Sequence, residues 1–123
     1  MRPLAIALLL CLPLSPALAC GACDEDKVAA TYDHAAVQRA TAQRHVVVFC
    51  DVQGPALDAA RVRRLAAQTS GIDPASIRTS AAPATVSFTL DPHKRSPRSA
   101  AAALQRAAPA GTRIAIVRVL DAG

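Results

Sequence analysis

Apolar positions along this chain change period several times, and each change marks an element. Val28, Tyr32, Ala35 and Ala36 recur at helical spacing within the stretch from Val28 to Gln43, which contains no proline or glycine. They predict one helix with those four residues in its buried stripe, Tyr32 serving as packing rather than as a catalytic phenol. Asp24, Glu25 and Asp26 stand at its start and Arg39 and Arg44 near its end, an order that suits the helix dipole. His45 to Cys50 is a continuous β-branched run, expected as a strand covered on both faces or lying centrally in a sheet, and Gly54-Pro55 ends it. Leu57, Val62, Leu65 and Ala66 then return to helical spacing between Pro55 and Ser70, with Pro55 suited to the opening turn and Gly71 to the exit.

Ile77 to Thr79 reads as a short edge strand. Ala84, Val86, Phe88 and Leu90 alternate with Thr85, Ser87 and Thr89, so this strand is expected to bury one face. After the polar turn Asp91 to Arg95, Ser96-Pro97 supplies an N-cap and a first helical residue for an alanine-rich helix reaching Ala107. Pro109 and Gly111 close that helix, and Arg113 to Leu120 forms a last strand rich in Ile and Val. Over residues 45–120 the order is therefore strand, helix, strand, strand, helix, strand. Right-handed crossovers would put both helices on one face of a four-stranded antiparallel sheet. The expected class is α+β, a ferredoxin-like βαββαβ sandwich with an extra N-terminal helix.

Arg61-Val62-Arg63-Arg64-Leu65, the Gly71-Ile72 turn, Ala84-Thr85-Val86-Ser87-Phe88 and Ser96-Pro97 before an alanine-rich helix resemble the corresponding parts of heavy-metal-associated (HMA) domains. The resemblance implies a ferredoxin-like fold and, in the family, soft-metal binding by a Cys-x-x-Cys in the loop after the first strand. Here that place holds Cys50-Asp51-Val52-Gln53-Gly54-Pro55, with a single thiol. The family's metal function does not transfer intact to such a loop.

The amino terminus changes the picture. Arg2, an apolar run from Leu4 to Leu14 and Ala17-Leu18-Ala19 lead into Cys20-Gly21-Ala22-Cys23, the pattern of a secretory signal cleaved between Ala19 and Cys20. The expected division is residues 1–19 as signal peptide, 20–44 as cysteine pair and N-terminal helix, and 45–123 as the ferredoxin-like domain. The apolar run is well short of the roughly 20 residues that a spanning helix needs. The expected location is outside the cytoplasm, in a periplasm or held at a membrane by lipid. Loss of Arg2 takes the formal charge from +5 to +4. The remaining arginines are dispersed and aromatic stacking residues are scarce, so no nucleic-acid partner is expected.

Cysteine carries the candidate chemistry. Cys20 and Cys23 have the spacing of metal clips and of dithiol redox centres, and the leading reading is a soft-metal site, for Cu(I) or Zn, built from Cys20, Cys23 and Cys50. A strand running back along the first helix would let Cys50 approach the N-terminal pair: about 20 helical residues cover 30 Å, and six strand residues recover about 20 Å. On a continuous helix His34 would lie about 16 Å from Cys23, too far to share an ion. His45 and His93 are expected in solvent.

Two alternatives stay open. Cys20 and Cys23 could work as a thiol–disulfide centre, although Asp24, Glu25 and Asp26 disfavour thiolate there. Cys20 could instead carry a lipid anchor, leaving Cys23 and Cys50 to pair as a disulfide. Tyr32-Asp33-His34 points in three directions on a helix, and neither a nucleophile elbow nor a phosphate-cradling glycine loop is present. The sequence points to an exported cell-envelope binding or accessory protein, its partner a soft metal ion or another envelope protein, rather than to an enzyme.

Overall fold

The computed structural model describes residues 23–54 and 58–121. Its elements are α1 (Asp24–Thr31), α2 (His34–Gln43), β1 (Val46–Gln53), α3 (Ala59–Ala67), a 3-10 turn (Pro74–Ser76), β2 (Arg78–Ala81), β3 (Ala84–Leu90), α4 (Pro97–Ala107) and β4 (Arg113–Leu120). The fold is α+β, with four helices and one four-stranded antiparallel sheet in the order β2-β3-β1-β4. None of these helices is long and apolar enough to cross a membrane.

Alternation along β1 divides the core in two. Val46, Val48, Cys50 and Val52 pack with Val62 and Ala66 of α3, with Ala100 and Leu104 of α4, and with Val86, Phe88 and Leu90 of β3. Val47 and Phe49, pointing the other way, pack with Val28 of α1 and Ala40 of α2. The central strand is thus apolar on both faces because helices cover both, which is what the run Val46 to Cys50 predicts. Ser96 starts α4 as expected, its hydroxyl accepting from the Ser99 N–H at 3.1 Å.

Three expectations require correction. The stretch from Val28 to Gln43 is two helices, because Tyr32 and Asp33 are extended and Asp33 caps a new helix, its Oδ1 accepting from the N–H groups of Ala35 at 3.0 Å and Ala36 at 3.3 Å. The stripe accordingly breaks: Val28 and Ala36 are buried, whereas Tyr32 and Ala35 are exposed.

β3 buries both faces, since α1 covers the hydroxyl side. Ser87 Oγ donates to Thr31 O at 3.3 Å, and Thr85, Ser87 and Thr89 are all buried. Finally, β1 continues to Gln53, so Cys50 lies inside the strand and not at its end. The described helix that follows is shorter than the span from Pro55 to Ser70, running from Ala59 to Ala67 with Asp58 as its cap; Pro55 and Leu57 lie outside the described residues.

Candidate functional site

Cys23 stands immediately before α1, exposed, and its Sγ donates to Asp26 Oδ2 at 3.3 Å. Two cross-links fix α1 on the sheet. Lys27 Nζ lies 3.4 Å from Asp51 Oδ2 on β1, and Arg118 Nη2 on β4 donates to Glu25 Oε1 at 2.7 Å. That contact holds the Glu25 carboxyl below its ordinary pKa and raises that of Arg118. The thiol is therefore presented at a defined point of the surface, among three acidic side chains at the first turn of α1.

Cys50 occupies a different environment. It is fully buried on the α3 and α4 side of the sheet. Burial, with a smaller contribution from the Asp51 charge, pushes its thiol up to about 12. Cys23 belongs to the helical layer on the opposite side, so the sheet lies between the two thiols. The expected return of β1 along one long helix does not bring Cys50 toward Cys23, because the helix breaks at Asp33 and because the side chain at position 50 points to the far face. Cys20, the third residue of the expected site, lies outside the described residues, as does the Ala19–Cys20 bond.

The histidines fall in three places. His34 opens α2 and is exposed, on a helix separate from the one that Cys23 precedes. His45 is half-buried with Nε2 4.0 Å from Asp91 Oδ2, and its Nδ1 has no hydrogen-bond partner among the described residues. His93 is exposed. Among the described residues no three His, Cys, Asp or Glu side chains converge as a metal cluster.

A cleft of about 160 Å3 opens between β1, the first turn of α3 and the β2–β3 hairpin; Val52 and Val62 supply apolar wall, and Thr79, Ser80 and Thr85 supply hydroxyls. A smaller one of about 50 Å3, with Arg39, Gln43, Asp73 and Ser76 in its wall, lies between α2 and the 3-10 turn. No family model, curated protein or solved structure matches the chain. The functional reading accordingly rests on the residues themselves.

Two polar anchors escape the sequence analysis. Asp33 Oδ2 accepts from Arg78 Nε at 3.1 Å and pairs with Nη2 at 3.0 Å, tying α2 to the edge strand β2. The available sign was an aspartate after an aromatic residue and before a helix-forming run, an N-cap signal hidden within the alanine-rich stretch. Gln105 of α4 grips the start of β4: its Nε2 donates to Thr112 O at 2.7 Å and its Oε1 accepts from Ile114 N–H at 2.7 Å. Nothing in the sequence pattern marks it.

Proposed function

We propose that this chain is an exported binding or accessory protein of the cell envelope, carrying a Cys20/Cys23 pair as a soft-metal clip on a ferredoxin-like body. The observation that carries the reading is the position of Cys23, exposed at the start of a helix that two ion pairs pin to the sheet. With Cys20 three residues upstream the chain offers two thiolates, which suit Cu(I) or Zn. Cys50 drops out of this ligand set, since its burial holds it as a neutral thiol. The ferredoxin-like body is supported by the strand order β2-β3-β1-β4, with α3 joining β1 to β2 and α4 joining β3 to β4 on one face. The resemblance to HMA domains favours the same body, with the thiols moved from the loop after the first strand to the N-terminus.

Titration of the thiol-reduced protein with Cu(I) or Zn tests the clip. One ion is expected per chain, most of the affinity should disappear in Cys23→Ser, and Cys50→Ala should retain the stoichiometry. Absence of stoichiometric binding by the reduced parent overturns the metal reading.

The second reading is a structural lipoprotein anchored through Cys20, favoured by the Cys23–Asp26 contact, in which the thiol is already engaged as a hydrogen-bond donor beside the three acids of the first turn of α1. Lipidation turns the Cys20 thiol into a thioether and removes that anionic ligand, so the two readings compete. Intact mass of protein recovered from an exporting cell separates them by the presence or absence of a diacylglyceryl adduct. The same three acids weigh against the thiol–disulfide alternative, for which reduction of insulin dependent on both Cys20 and Cys23 would be the sign.

A further inference from the structure

Strand β4 forms one edge of the sheet, and among the described residues no strand lies beyond it. The opposite edge, β2, has four residues and is largely polar, a common way of blunting an edge. β4 has eight, and its Ile116 and Val119 are 37% and 38% exposed. Ile116 sits opposite Cys50 and Val119 opposite Val48, so both side chains lie on the α3 and α4 side of the sheet. Residues three apart in a regular strand would face opposite ways; these face alike because the register shifts between them in a β-bulge.

Gln105 reveals which main-chain groups point outward. It engages Thr112 O and Ile114 N–H, so those groups are directed away from β1. Alternation then directs the main chain of Ile116 outward as well and, past the bulge, that of Val119. The exposed apolar side chains and the outward-facing main-chain groups therefore coincide at the same two residues.

We propose that β4 is a contact between two copies of this chain, paired antiparallel about a two-fold axis passing between Val117 and Arg118. In that arrangement Ile116 stands opposite Val119 of the second copy and Val119 opposite Ile116 of the second copy, so one patch completes itself by symmetry. Both pairs are face-matched, a register available only because of the bulge. The two Arg118 side chains near the axis bring their own Glu25 counter-charges on the other face. Gln105 also sets the extent. By occupying Thr112 and Ile114 it confines pairing to the far half of β4, which makes the dimer weak and reversible.

Sedimentation velocity of the purified protein over a concentration series is expected to show monomer passing to dimer, and Val119→Lys should weaken the association about tenfold or more while leaving the far-ultraviolet circular dichroism unchanged. A second arm fixes the register and does not depend on how Val119→Lys folds. Opposed residues in a hydrogen-bonded antiparallel pair have Cα atoms about 5.5 Å apart, within disulfide range. With Cys20 and Cys23 replaced by serine and Cys50 by alanine, so that no thiol faces position 116 within the chain, the double variant Ile116→Cys/Val119→Cys should oxidise to a covalent dimer, whereas Ile116→Cys alone should not. Purely monomeric protein up to about 1 mM, a dimer indifferent to Val119→Lys, or cross-linking by the single variant as efficient as by the double would each overturn the proposal.

Discussion

At the scale of single residues, the molecule separates side chains that pack from side chains that tie. Phe88 is fully buried against α3 and α4, while His93 is exposed in the turn before α4. Phe88→Ala should lower stability by about 3–5 kcal/mol and His93→Ala by less than about 0.5 kcal/mol, read as urea midpoints at equal slope. Asp33 belongs to the second kind. The Ala36 N–H first, and then the Arg78 guanidinium, hold its carboxyl below the ordinary value of 3.8. A carboxylate whose folded pKa lies below its unfolded one stabilises the fold above the unfolded value and loses that contribution as pH falls through the folded value. Asp33→Asn, which keeps a capping oxygen without the charge, should flatten the acid limb of the stability profile below the ordinary aspartate range. Asp33→Ala should in addition lower the midpoint at neutral pH, where asparagine still caps.

At the scale of elements, periodicity reported composition well and interruption poorly. The alternation of Val86, Phe88 and Leu90 and the Ser96-Pro97 start of α4 were legible because each is a local signal whose cause lies within a few residues. The break at Tyr32–Asp33 was hidden because alanine suits a helix on either side of it, and the tie that fixes the break, Arg78, is 45 residues away in sequence. The same limit applies to the candidate site. Sequence identified its three cysteines, but the face onto which Cys50 points depends on strand register, and one residue of register reverses a side chain. The end of β1 is fixed by another long-range approach. Gly54 has φ +138, and a Cβ there would come 2.8 Å from Gly111 O and 3.0 Å from Thr112 Cα, both main-chain atoms. Gly54→Ala should therefore cost roughly 1–3 kcal/mol by thermal or chemical denaturation. Gly111→Ala, at φ +86 with no atom within 4 Å of the added Cβ, should cost less, since it carries the backbone strain without the clash.

At the scale of the whole molecule, the sheet is covered by two unequal layers. The α3 and α4 side encloses a continuous core built on Phe88, Leu90, Ile77 and Leu104, whereas the α1 and α2 side rests on Val28, Ala40, Val47 and Phe49 beside the hydroxyls of β3. Thr31 Oγ1 is buried on that side with no hydrogen-bond partner among the described residues. Less apolar area and an unpaired hydroxyl both reduce the free energy holding α1 and α2 in place. In native-state hydrogen exchange, amides of α1 and α2 should open together at lower free energy than those of β1 and β3; equal opening energies across all four elements would show one cooperative unit instead. The consequence reaches the N-terminal thiol. With α1 and α2 opening first, a pull on Cys23 would peel α1 away, breaking Lys27–Asp51 and Glu25–Arg118 in the process, before it strained the sheet. The sheet with α3 and α4 would then stay folded while α1 unravels, lengthening the stretch between Cys23 and β1.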